Sequence, residues 1–182
     1  GIMLFPLILV GALFVYFYTT HLTKLMLGEV AAGLGLGCLP VIGSYFVQTG
    51  FYSLDCIIAS IPAGILTHNL LLLNEVPDYE ADKRFGRRNF VTVFGKDKAV
   101  KLYSFLTLLV YVIILICVVT GIVPVLAAIS ILTLPIAIEG IRISKKYYND
   151  INSLIPALAN NVKVVLGTQF LLALGFLFDA II

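Results

Sequence analysis

Charge is what this chain has least of. Only 12% of its 182 residues are Asp, Glu, Lys or Arg, against 60% hydrophobic ones, and that balance excludes an ordinary soluble domain. Cysteine is scarce as well. Cys38, Cys56 and Cys117 are odd in number and each sits inside an apolar run, which excludes a disulfide framework and leaves packing or lipid-facing roles. With only two histidines, no Cys/His group has metal-ligand spacing. The net charge of +2 is too small and too unevenly spread for nucleic-acid binding. The start at Gly1 shows no basic leader or small-residue cleavage site, so the expectation is a chain cut from within a longer protein.

Long apolar runs are present in quantity. A helix needs about 20 mainly apolar residues to cross a hydrocarbon core, and six runs approach that length: 3–20, 28–47, 55–73, 98–120, 122–141 and 154–180. The fold expected is therefore all-α, a multi-pass transmembrane helical bundle in one membrane domain, 1–182. The connections 48–54 and around Gly121 contain no Lys or Arg. Eleven of the twelve basic residues fall in the other three: Lys24; then Lys83, Arg84, Arg87, Arg88, Lys96, Lys98 and Lys101; then Arg142, Lys145 and Lys146. The positive-inside rule puts these three in the cytoplasm, and six helices of alternating direction satisfy it.

The stretch from Asn74 to Arg88 interrupts the apolar pattern. It holds four of the ten acidic residues with basic residues close behind. Asn74, Asp78 and Asp82 are four apart, so on a helix their oxygen-bearing side chains share one face. Amide and carboxylate oxygens suit Mg²⁺, which reaches a protein through one or two carboxylates plus substrate phosphate oxygens. Lys83, Arg84, Arg87 and Arg88 then meet the remaining phosphate charge. The plainer alternative is a solvated mixed-charge loop. Pro77, near the middle, is expected to bend or restart the helix.

At these residues the chain resembles the UbiA-type intramembrane prenyltransferases. Their second aspartate-rich motif has Asn or Asp, then two Asp at four-residue steps, then a Gly and basic residues. Here those are Asn74, Asp78, Asp82 and the segment from Phe85-Gly86-Arg87-Arg88 to Gly95. A second patch, Tyr18-Thr19, Leu27-Gly28-Glu29 and 40–50, looks like the naphthoate-prenylating branch. The resemblance implies a nine-helix fold of which this chain holds six helices. It further implies Mg²⁺-dependent transfer from a prenyl diphosphate to an aromatic or quinone-precursor acceptor within the membrane lipid, with the metal and diphosphate motif at 74–95 cytoplasmic. The family has two aspartate-rich motifs and this chain contains only the second, so three upstream helices are expected to carry the first and the fragment alone is expected to be inactive.

Asp78 and Asp82 are the expected catalytic metal ligands, with Asn74 as third oxygen donor, and Arg87, Arg88 and Lys83 as diphosphate partners. Tyr18 and Lys24 have two readings, an interfacial aromatic belt or a wall of the site holding diphosphate or acceptor. Lys163 either snorkels or reaches a polar cavity. Gln169 suits an interhelical hydrogen bond. His68 lines a pocket or simply packs, and Asn69 falls outside the metal register. Gly33, Gly35 and Gly37 mark close helix packing, since no strand precedes them as a dinucleotide fold requires. The remaining classes are a non-catalytic relative, a cation transporter, whose acids would lie mid-helix, and a CDP-alcohol phosphotransferase, whose Asp-Gly signature is absent.

Overall fold

Every apolar run folds as helix, and no described residue forms a strand. The computed structural model describes residues 2–182, leaving aside the side chains of Thr19 and Thr20. The α-helices are α1 (Phe5–Phe17), α2 (Gly28–Ala32), α3 (Leu39–Thr49), α4 (Leu54–Arg84), α5 (Phe90–Phe94), α6 (Lys96–Val119), α7 (Leu134–Tyr147) and α8 (Ile151–Ile181). A π-helical stretch, Gly33–Cys38, joins α2 to α3, and a 3-10 stretch, Val125–Thr133, leads into α7. Five continuous segments are long and apolar enough to cross a membrane: Gly28–Thr49, Leu54–Arg84, Lys96–Val119, Val125–Tyr147 and Ile151–Ile181. The first apolar helix, Ile2–Phe17, is shorter, and a polar π-helical stretch, Tyr18–Leu22, follows it. Pro40 and Pro135 sit where the π-helical and 3-10 stretches give way to α3 and α7, so the missing N–H falls at a change of hydrogen-bond pattern.

α4 is the spine. It packs against α6, α8 and the π-helical stretch, and it runs on past the expected apolar limit at residue 73 to Arg84 without a break at Pro77. Apolar run length marks where hydrocarbon can end. It does not mark where backbone hydrogen bonding ends. The extra turns persist because Leu72, Leu73 and Val76 bury themselves with Val91, Val100, Tyr103, Leu154 and Ala157 from α5, α6 and α8. That cluster gathers the connections carrying nearly all the basic residues at one end of the bundle. A separate cluster around Cys117, Val123 and Ala127 closes the other end.

Between these ends the helices are joined by hydroxyls and amides. The Asn69 amide donates to Thr107 Oγ1 at 3.0 Å and to the Tyr103 carbonyl at 3.1 Å, and Asn161 donates to the Asn69 carbonyl at 3.1 Å. This explains why Asn69 belongs to the scaffold and lies apart from the metal register. Tyr111, Thr133 and Thr168 form a second bridge, at 2.9 and 2.7 Å. Each such bond between helices contributes about 0.6–2 kcal/mol. Gln169 forms no such bridge among the described residues; it lines a cavity of about 440 Å³ at the end away from the motif, with Asp55 and Tyr45. The three cysteines are buried and free, and Lys163 is exposed.

Gly33 and Gly37 press against α4. A Cβ on Gly37 would lie 2.6 Å from the Ala63 carbonyl oxygen and from Gly64 Cα, and one on Gly33 would lie 2.7 Å from the Gly64 oxygen. Gly35 faces the other way, toward Phe14 of α1.

Candidate functional site

α4 ends in a Schellman arrangement: Arg87 N–H donates to the Asp82 carbonyl at 2.9 Å, Gly86 N–H to the Lys83 carbonyl at 3.2 Å, and Gly86 has φ +70°. Glycine alone takes that conformation without cost, and its effect is to fold Arg87 back toward the helix it has just left. A capping box then starts α5. Asn89 Oδ1 accepts the Thr92 N–H at 2.7 Å while Thr92 Oγ1 accepts the Asn89 N–H at 2.9 Å. We expect Gly86→Ala to cost about 1–2 kcal/mol, read as a lower midpoint in thermal unfolding, with Arg87 displaced.

Around this turn the structure assembles a polar cluster. The Arg87 guanidinium lies 3.5 Å from Glu75 Oε1 and 3.7 Å from Asp82 Oδ1. Asp82 Oδ2 accepts from Asn89 Nδ2 at 2.7 Å. Glu29, on α2, accepts the Phe90 N–H at 2.8 Å and comes within hydrogen-bonding reach of Glu75. Both glutamates are almost wholly buried, 2% and 3% exposed, and Glu75 Oε2 has no hydrogen-bond partner among the described residues. Tyr18 is half-buried beside them, its hydroxyl close to Gly28. Burial raises the Tyr18 phenol above its usual range, against the opposing pull of Arg87, so it stays neutral and can donate at physiological pH.

The oxygen series occupies one face of α4 as its spacing requires, with successive members about 6 Å apart along the axis. Asn74 and Asp78 are exposed, and Asp82 is half-buried. No group of three His, Cys, Asp or Glu among the described residues closes into a metal cage. The donor set still fits Mg²⁺ in the open mode, in which one or two carboxylates share the ion with phosphate oxygens. Among the cations, Arg87 joins the cluster. Lys83 instead donates to the Tyr79 hydroxyl at 3.3 Å. Arg88 and Lys24 are exposed and stand outside these contacts.

An apolar groove of about 290 Å³ runs down the same side, lined by Val30, Leu34, Cys38, Ile61, Ile65 and His68, among others. His68 precedes Glu75 by seven residues and Glu75 precedes Asp82 by seven, so the three follow one stripe of α4 at steps of about 10 Å. His68 is thus a groove residue at the foot of the polar cluster.

Glu29, Glu75 and Asn89 were not among the residues expected from the sequence. Each had a signal. An acid in an otherwise uncharged apolar run is a functional candidate by default; a seven-residue step places Glu75 above Asp82; and Asn-x-x-Thr is the pattern of a capping box.

The sequence profile of the UbiA prenyltransferase family matches residues 1–162. The chain is 27% identical over 172 residues to a 1,4-dihydroxy-2-naphthoate octaprenyltransferase of Bacillus subtilis, covering 93% of this chain and 55% of that protein. It is 26% identical over 141 residues to UbiA prenyltransferase domain-containing protein 1 of Gallus gallus, covering 78% and 41%. The Danio rerio protein of the same name is 27% identical over 124 residues, covering 68% and 36%. The chain therefore spans about half the length of these relatives or less.

Proposed function

The chain belongs to the UbiA prenyltransferase family, an integral multi-pass membrane protein by its five long apolar helices, and from that premise we propose that it transfers a prenyl group from an isoprenoid diphosphate to an aromatic or quinone-precursor acceptor. One juxtaposition supports this reading: the stripe of α4 that carries Glu75 and Asp82, with Arg87 against both, continues down the helix to His68, where an apolar groove begins. A ligand that fits both has a polyanionic head and a hydrocarbon tail.

Asn74, Asp78 and Asp82 hold Mg²⁺ in this reading; when bound, the ion supplies positive charge against the departing diphosphate. Arg87, with Arg88 and Lys83 reaching in from the exposed side, binds the phosphate oxygens through charged hydrogen bonds. The groove aligns the chain and keeps water from the reacting carbon. Tyr18, neutral and beside Arg87, orients the diphosphate or the acceptor by donating a hydrogen bond, with Lys24 at the same mouth. The basic ends of the bundle face the cytoplasm.

The test is transfer by the full-length protein in lipid nanodiscs, with labelled allylic diphosphates and a panel of aromatic acceptors. The acceptor named for the Bacillus subtilis relative, 1,4-dihydroxy-2-naphthoate, is the first to try. We expect prenylated product, and Arg87→Ala to raise KM for the diphosphate about tenfold or more. Absence of product with every acceptor and chain length overturns the assignment.

A further inference from the structure

We propose that Glu29 is a positioning residue, which clamps the segment 86–94 onto the bundle and thereby sets Arg87 for the diphosphate. This rests on the function proposed above. Glu29 sits in the first turn of α2 and reaches across 61 residues of sequence to accept the Phe90 N–H. That N–H belongs to the first turn of α5, where amides have no partner within the helix. The side chain is 2% exposed, so its carboxylate has given up water for this contact, and an unpaired carboxylate there would cost several kcal/mol.

The clamp acts on Arg87 from two sides. Phe90 is three residues beyond Arg87, and Thr92 Oγ1 of the same capping box donates to the Arg87 carbonyl at 3.1 Å, so fixing the start of α5 fixes the Arg87 backbone. Glu29 also adjoins Glu75, whose Oε1 is the nearer of the two carboxylate contacts of the guanidinium. Arg87 itself remains 40% exposed and free to accept a further anionic partner. Glu29 is not among the residues that line the groove, although His68 at the groove's upper end feels its charge. Its influence on a substrate passes through Phe90, Glu75 and Arg87.

The geometry separates three substitutions. In Glu29→Gln the amide oxygen still accepts from Phe90 and the amide nitrogen can donate to Glu75. Glu29→Asp withdraws the carboxylate by one methylene, and Glu29→Ala removes it. Three measurements on the full-length protein read the clamp: hydrogen exchange of residues 87–94, binding of inorganic pyrophosphate with Mg²⁺, and steady-state kinetics against each substrate. We expect Glu29→Gln to stay within about threefold of the parent throughout. Asp and Ala should speed exchange at Phe90 and its neighbours, weaken pyrophosphate about tenfold, and raise KM for the prenyl diphosphate by a similar factor while kcat and the acceptor KM move little.

A purely structural role would instead lower thermal stability and active fraction with both KM values unchanged, and that pattern overturns the proposal. So does a Gln variant as impaired as the Ala variant. Should Ala fail to fold, the Gln and Asp pair carries the comparison, and equal pyrophosphate affinity in those two overturns it. If the exchange and pyrophosphate patterns appear while no prenyl diphosphate is turned over, the clamp stands and the transferase assignment falls.

Discussion

Replacing Asp78 with Asn is expected to lower prenyl transfer about 10²–10³-fold while leaving the protein folded, the range seen when one preorganised electrostatic contact to a developing charge is removed. The structure separates the two effects cleanly. Asp78 is exposed and takes part in no hydrogen bond or ion pair among the described residues, so the substitution removes one negative charge and no packing; exposed changes of this kind stay within about 0.5 kcal/mol of the parent. Asp82→Asn is the informative partner. Asp82 is half-buried and accepts from Asn89, a bond an amide oxygen can keep. Both substitutions remove a hard anionic ligand, but only the second also weakens the hold on Arg87. Transfer rate and thermal midpoint, measured side by side in nanodiscs, check this. Turnover by Asp78→Asn equal to the parent would remove Asp78 from the metal ligands that the reaction needs.

The second large effect belongs to stability. Gly37→Ala should cost about 3 kcal/mol, at the upper end of the usual overpacking range. The added methyl would stand 2.6 Å from both the Ala63 oxygen and Gly64 Cα. Those are backbone atoms of α4, so no rotamer change relieves the clash and the helices must separate. Separation also opens the groove, because Gly33, Cys38 and Gly64 line it. A lower thermal midpoint together with a raised KM for the prenyl diphosphate is therefore expected. At Gly35 the nearest neighbour is a flexible Phe14 ring atom 3.4 Å away, and Ala there should be close to neutral. Helix propensity favours Ala over Gly at both positions, so comparable losses at Gly35 and Gly37 would show that the close crossing at Gly37 does not set the cost.

Residue type and spacing carried the sequence reading a long way. Apolar runs near 20 residues marked the crossings, and the four-residue steps of Asn74, Asp78 and Asp82 put them on one face, as α4 shows. Boundaries were less legible. The expected third crossing stopped at residue 73, where apolarity stops, yet hydrogen bonding continues to Arg84 because α5, α6 and α8 cover the added turns. The same limit affected the cations: four basic residues share the segment 83–88, but which of them turns inward depends on the left-handed Gly86 and the capping box after it. Spacing alone does not separate Lys83 from Arg87, and in the fold its ammonium rests on Tyr79 while Arg87 meets Glu75 and Asp82.

From its residues alone the chain is committed to a membrane bundle with a hard-oxygen ladder after its third apolar run, because hydrophobicity and helical period are local properties. The tertiary structure alone decided that Glu29 meets Phe90 and Glu75 and that the groove begins at His68. Those pairings join residues far apart in the chain. They exist only after the glycines of the π-helical stretch let it close on α4, and no periodicity within a single segment encodes which distant side chain such a contact will bring.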